Sequence, residues 1–199
     1  MIPDEIKRFI DYFSRLPLFG PRQATRLAFY LSSLDKNEVR NLSSALGNLA
    51  NLDICERCLF VKVGGRKTCS ICSDPARNAK NIAIVEKETD LLTFEKMNKW
   101  NGHYLILGHL AERGILGQSE RQRLEKLKDR IKNELGGMAD EIVVALAATA
   151  IGDFTADLIR EEFKNLSKKI TRLGRGLPTG GEVEFADETT LLHSFEKRS

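Results

Sequence analysis

The chain has 199 residues, 42% of them apolar and 30% charged, and 31 lysines and arginines against 28 acids leave a formal net charge of +3. Those proportions fit a soluble globular protein with room for one ordinary domain and small appendages. Residues 1–16 carry Asp4, Glu5, Lys7, Arg8, Asp11 and Arg15, which excludes an export signal, and the longest apolar run, 142–152, is too short to cross a membrane. A cytoplasmic protein with no membrane partner is expected.

Ile6, Phe9, Ile10, Phe13 and Leu16 recur at helical spacing, so the chain opens on an amphipathic helix that Pro17 ends. Leu18-Phe19-Gly20-Pro21 then makes a tight turn, with Pro21 suited to the first position of a second helix carrying Ala24, Leu27, Ala28, Leu31 and Leu34. Two helices joined in this way are a helix-hairpin-helix candidate, in which turn amides and a helix N-terminus can face a phosphate. Arg22 and Arg26 lie one helical turn apart at the start of the second helix and are the candidate DNA contacts. An ordinary pair of packed helices carries the same pattern. Leu42, Leu46 and Leu49 mark a third, short helix.

All four cysteines follow as two Cys-x-x-Cys pairs, Cys55/Cys58 and Cys69/Cys72. Each such turn aims two sulfurs at one point, and two turns can close a tetrahedron around a soft divalent ion. Zinc suits four thiolates best, and a closed site of this kind is structural rather than catalytic. The spacer reads as a hairpin with Gly64-Gly65 at its tip. Disulfides, a redox pair and iron–sulfur ligation are the alternatives, and a reducing compartment argues against the first.

Pro75 and the polar run to Asn81 read as a linker, after which the pattern changes. Strands are expected at 82–86, 104–108, 141–147 and 168–173. Helices are expected at 90–100, behind a loop at 109–118 with Ser119 and Gln122 as a capping box, and at 154–166. This alternation predicts an α/β fold with a mostly parallel sheet covered on both faces, its site at the carboxyl ends of the strands near Glu86 and the 147–153 loop. The tail, rich in glycine from Gly174 to Gly181, reads as an irregular crossover, a short alternating strand and a last helix over 188–195.

Local basic excesses at 55–81 and 160–176 fit a phosphate backbone or a plain solvated surface. More specific are Leu16-Pro17-x-x-Gly20-Pro21-Arg22, the cysteine pairs with Asp74-Pro75-x-Arg77, Ile84-Val85-Glu86, and Arg172-Leu-Gly-Arg175-Gly176-Leu-Pro178-Thr-Gly180-Gly181-Glu182. In this order they resemble the bacterial RecR family of recombination mediators, and the resemblance runs the length of the chain.

That resemblance implies a helix-hairpin-helix domain at 1–54, a four-cysteine zinc module at 55–78, a Toprim-like α/β domain at 79–173 and a C-terminal segment at 174–199. It implies a non-enzymatic protein of DNA repair that forms a homo-oligomer (ring, dimer or tetramer). Such a protein binds single- and double-stranded DNA without sequence preference and works with RecO-like and RecF-like proteins at single-stranded gaps. Arg22 and Arg26 would take the DNA-binding positions, the cysteines the zinc positions, and Glu86 with Asp153 the remnant of a Toprim acid site. The chain departs from the family pattern in places. Leu18 stands where the family usually has glycine, and His109 replaces a usual glycine after the second strand. In the stretch Ala145-Leu-Ala-Ala-Thr149-Ala-Ile151-Gly152-Asp153, Ala147 and Thr149 fill the Toprim aspartate positions. Two other functions remain open: a protein adaptor without its own DNA affinity, and a Toprim-type magnesium nuclease, which needs a carboxylate cluster.

Overall fold

The structure, a computed structural model, describes residues 2–110 and 116–198 and divides into two compact units, Met1–Leu52 and Asp53–Ser199. Half of the loop expected over 109–118 lies outside the described residues.

The first unit is three helices: α1 (Asp4–Phe13), α2 (Pro21–Ser33) and α3 (Lys36–Leu49). Helix α1 stops earlier than the apolar stripe implies. The Ser14 hydroxyl and amide both turn back to the Ile10 carbonyl, so Leu16 falls in the turn rather than on the helix. Gly20 caps α2 and Pro21 is its first residue, as the turn chemistry requires. Leu34 is the cap that ends α2. Helix α3 is 14 residues long rather than short, because the Asp35 carboxylate accepts the Asn37 amide and starts it well before Leu42. Phe9 and Phe13 stack at 3.9 Å, with Phe19 edge-on to Phe13 at 6.2 Å, which seats the turn on α1.

The chain continues with β1 (Leu52–Ile54) and β2 (Val61–Val63), which pair with each other, and a single-turn helix α4 (Ser70–Ser73). The first cysteine pair, not Gly64-Gly65, forms the tip between these strands; the glycines lie beyond β2 in the turn toward the second pair. Then come β3 (Asn78–Val85), α5 (Glu88–Met97), β4 (Gly102–Ile106), α6 (Gln118–Glu134), β5 (Glu141–Ala145), α7 (Ala150–Phe163), β6 (Ile170–Arg172), a 3-10 turn at Val183–Phe185 and α8 (Glu188–Glu196). The polar stretch read as a linker is in part strand: Asn78–Asn81 extends β3, its side chains alternating between exposed and half-buried. The Ser119–Gln122 capping box does not form, because Ser119 lies inside α6 and Gly117 occupies the cap. Val183–Phe185 is a 3-10 turn rather than a strand.

The sheet is parallel with order β4-β3-β5-β6, and the ends of the three leading strands stay level, Val85 opposite both Ile106 and Ala145. Side-chain alternation sorts the core into two layers. On one face Ile82, Ile84, Leu105, Ile142 and Val144 pack against Leu124, Leu127 and Ile131 of α6 and Ile159 and Phe163 of α7. On the other, Ala83, Val85, Tyr104, Ile106, Val143 and Ala145 pack against Leu91 and Phe94 of α5 and against the four cysteines. Each large apolar side chain buried there contributes about 1.5–3 kcal/mol.

One residue breaks the local rules. Leu18 has φ +67° and is 100% exposed, so it bears a left-handed backbone with no burial in return. A side chain at such a φ costs roughly 1–2 kcal/mol that glycine does not bear. Leu18→Gly is therefore expected to be at least as stable as the parent in thermal or denaturant unfolding and about 1 kcal/mol more stable than Leu18→Ala. Equal stability of the two variants would show that the turn is not strained.

Candidate metal centre and the ends of the strands

The cysteines converge because each pair sits on a turn with its own hydrogen bonds. In the first, the Leu59 amide donates to the Cys55 carbonyl at 3.0 Å and the Cys55 amide to the Phe60 carbonyl at 2.8 Å, with Leu59 at φ +66°. In the second, Cys69 caps α4, so Cys72 returns one turn later. The Cys69 amide donates to Cys55 Sγ at 3.3 Å, linking the two turns. All four sulfurs lie within 4.8 Å of one another, with Cys58 and Cys69 at 3.5 Å, and all four residues are buried. A tetrahedron of thiolates about 2.3 Å from zinc has its sulfurs roughly 3.8 Å apart, so the donor set fits a metal ion of that size. Every cysteine is a free thiol. Their mutual contact sets the ionisation. The Cys58 thiol is pushed up, first by its hydrogen bond to Cys69, then by Cys72 and burial, while hydrogen bonds from Cys58 and Cys72 hold Cys69 low. Four buried thiols cannot all ionise without a cation among them, and a metal ion bound there would supply it.

The module is fixed at three places, to the edge strand and to two helices. The Ile106 amide of edge strand β4 donates to the Cys58 carbonyl at 2.9 Å. Arg57 donates to the Cys72 carbonyl at 3.3 Å and to Glu134 of α6 at 2.9 Å. After the second pair, Arg77 makes a two-pronged bond to Glu95 of α5, at 2.9 and 2.5 Å, and Tyr104 donates to the same carboxylate at 2.5 Å. Burial alone would raise Glu95, but the bonds from Arg77 and Tyr104 outweigh it and hold this carboxyl below its usual range.

Arg22 and Arg26 are exposed on the first turns of α2 and make no ion pair among the described residues. Glu86 follows β3, and its carboxylate lies 3.1 Å from Nδ1 of the exposed His109. Asp153, in the first turn of α7, is gripped by Arg172 at the end of β6 and by Arg175 just beyond it. These contacts, the Arg175 hydrogen bond foremost, hold the Asp153 carboxyl below its ordinary range. Thr149 caps α7 by accepting the Gly152 amide at 3.1 Å, and a Cβ on Gly152 would collide with the Ala147 carbonyl oxygen. Among the described residues the cysteines are the one cluster of three or more potential metal ligands.

Sequence reasoning passed over three partners. Arg172 and Arg175 were read as part of a motif and a basic run, with no sign of the carboxylate they clamp. Arg130 interrupts the apolar stripe of α6 three residues after Leu127, which was a visible signal of an inward-pointing charge. It pairs with His103 of β4 at 2.6 Å.

The profile described as "RecR, helix-hairpin-helix" matches residues 6–50, and "RecR, C-terminal" matches 176–199. Over its full length the chain is 35% identical to Recombination protein RecR of Chloroflexus aurantiacus, covering 95% of that protein. It is 34% identical to Recombination protein RecR of Streptococcus uberis, covering 98% of it.

Because the sulfurs form the buried heart of the module, Cys58→Ser or Cys72→Ser is expected to abolish stoichiometric metal in the purified chain, measured by elemental analysis. Thermal unfolding should then shift down by several degrees or lose cooperativity. A serine variant that keeps both its metal and its melting temperature would remove the metal centre from this description.

Proposed function

Because this chain belongs to the RecR family of recombination proteins, we propose that it is a non-enzymatic mediator of recombinational DNA repair in the cytoplasm. In this reading it grips single- and double-stranded DNA through its helix-hairpin-helix, and with RecO-like and RecF-like proteins it helps load a strand-exchange recombinase at single-stranded gaps. Residues 1–54 carry the DNA contact, 55–78 a zinc staple, 79–173 a Toprim-like scaffold, and 174–199 joins subunits of a homo-oligomer. Zinc is the metal that four thiolates with no open position suit best.

The observation that carries the DNA reading is the hairpin itself. Gly20 and Pro21 open a 13-residue helix whose first amides take no side-chain cap, and Arg22 and Arg26 stand exposed beside them with no carboxylate partner among the described residues. Orphan amides, the positive end of the helix dipole and two guanidiniums together suit a phosphate backbone, which carries charge but no sequence information. Exposed apolar side chains at the other end of the chain, Phe185, Leu192 and Phe195, support the assembly role of 174–199.

Against a magnesium nuclease stands the chemistry at the strand ends. A phosphoryl-transfer metal needs a group of free carboxylates. Here Asp153 is neutralised by two arginines, and Glu86 lies beside His109. The adaptor reading is favoured by one feature, Leu18 fully exposed in the turn where a phosphate would approach.

Fluorescence anisotropy with single- and double-stranded oligonucleotides at two salt concentrations tests these readings. The parent chain should bind with a steep salt dependence, and Arg22→Glu with Arg26→Glu should weaken binding at least tenfold, flattening the salt slope by about two while circular dichroism stays unchanged. Parent-like affinity in the double variant removes the hairpin from the account, and absence of salt-dependent binding by the parent chain leaves the adaptor. Magnesium-dependent cleavage that Glu86→Gln abolishes would overturn the non-enzymatic reading.

A further inference from the structure

Leu18, at the apex of the helix hairpin, is the most exposed large apolar side chain among the described residues. Its backbone, at φ +67°, is one that glycine would hold without strain. Leu16 is 46% exposed, and Pro17 between the two leucines is exposed as well. The apex is nevertheless firmly shaped. The Leu16 amide donates to the Phe13 carbonyl at 3.1 Å, the Phe19 amide donates to the Leu16 carbonyl at 3.1 Å, and the Phe19 ring meets Phe13 edge-on. A strained residue that the fold holds in place and does not bury points to a contact outside the chain.

The charge nearby narrows what that contact is. No aspartate or glutamate occurs between Asp11 and Asp35, and this stretch carries Arg15, Arg22 and Arg26. All three are exposed, and none makes an ion pair among the described residues. An apolar tip among unbalanced guanidiniums suits a partner that offers negative charge and apolar surface together. Nucleic acid does so, with phosphates for the arginines and base faces for the leucine. Two forms of DNA differ in the second respect. In a duplex the base faces are stacked on one another, and a side chain reaches them only by prising a step apart. In a single strand they are already open.

We infer that Leu18 is a base-contacting residue, pressed against unstacked bases while Arg15, Arg22 and Arg26 hold the flanking phosphates, and that it shifts the preference of this chain toward single-stranded DNA. The inference rests on the DNA reading above and adds Arg15 and Leu18 to its contacts. Phosphate contacts are available with both forms of DNA and release counterions. The leucine contributes apolar contact, which releases none and is available only where bases are open. The full exposure of Leu18 is then a property of the unbound chain, and its backbone strain is offset in the complex.

The test uses the full-length chain and fluorescence anisotropy with one labelled oligonucleotide, free and annealed into a blunt duplex. Leu18→Gly and Leu18→Ala are expected to bind the single strand about 3–10-fold more weakly than the parent, the loss that follows from uncovering roughly half of one leucine. Alanine keeps the left-handed cost and glycine removes it, so agreement between them isolates the side chain. Duplex affinity should stay within about twofold of the parent, and the salt slope should not change, because no phosphate contact is lost. Leu18→Met should keep parent-like affinity for both forms. A single strand carrying a fluorescent purine analogue reads the base contact directly: the parent should alter its emission, and Leu18→Gly should alter it less. Parent-like affinity for the single strand in folded Leu18→Gly and Leu18→Ala, or an equal loss for both forms of DNA, would overturn the inference and leave the phosphate grip intact. A parent chain that binds neither form sinks the DNA reading itself, and leaves the tip to a protein partner.

Discussion

Four buried sulfurs that cannot all ionise on their own are the constraint from which the larger unit follows. One face of the parallel sheet is covered by α6 and α7; on the other, the cysteine module takes part of the place a helix would fill. The face shared by the module and α5 carries Ala83, Val85, Val143 and Ala145 beside Tyr104 and Ile106, whereas the opposite face carries isoleucines and leucines. Through the Cys58 carbonyl the module also takes up an amide of β4, an edge strand that would otherwise offer it to any passing chain. A metal ion closing the sulfur cluster would thereby hold a sheet edge and part of a core layer, and Arg77 with Glu95 extends the hold to α5.

The carboxyl ends of the strands, where open parallel sheets usually place their chemistry, are organised differently. Level strand ends bring Glu86 and the loop after β5 to one rim. The charge of Asp153 is used to join the exit of β6 to the start of α7, with arginines from two segments closing on it. Gly152 is fixed by contact with the Ala147 carbonyl, and Thr149 satisfies the first amides of the helix. The rim is a structural joint built from the residue types a phosphate-handling site would use, with acid and base turned on each other.

The regular parts of this architecture were legible in the residues. Short continuous apolar runs between helical patterns marked the parallel strands, and the Cys-x-x-Cys spacing marked the sulfur cluster, because both patterns follow from local geometry. The misreadings came where a contact distant in sequence decided the outcome. Asn78–Asn81 looks like a linker, yet it pairs along Glu141 and Gly102 and so becomes strand. Gly64-Gly65 looks like a hairpin tip, but sulfur geometry puts the tip at the first cysteine pair. The clamp on Asp153 and the burial of Arg130 depend on segments about 20–30 residues away, and periodicity carries no such information.

Two leucines with positive φ show how differently the same strain can be held. Leu59 lies between Cys58 and Phe60, with its amide bonded to the Cys55 carbonyl and its side chain packed against both core layers, so the fold over-determines its backbone. Leu18 has the turn bond from the Phe19 amide to the Leu16 carbonyl and nothing around its side chain, which is completely exposed. At the first position, strain follows from metal-site geometry and is offset by burial. At the second, the backbone of the hairpin demands a left-handed residue, a conformation that suits glycine, while the leucine adds apolar surface that the described fold does not bury. The hairpin therefore keeps its shape independently of this side chain, and Leu18 acts through the strain of its own backbone and through whatever the turn meets outside the chain.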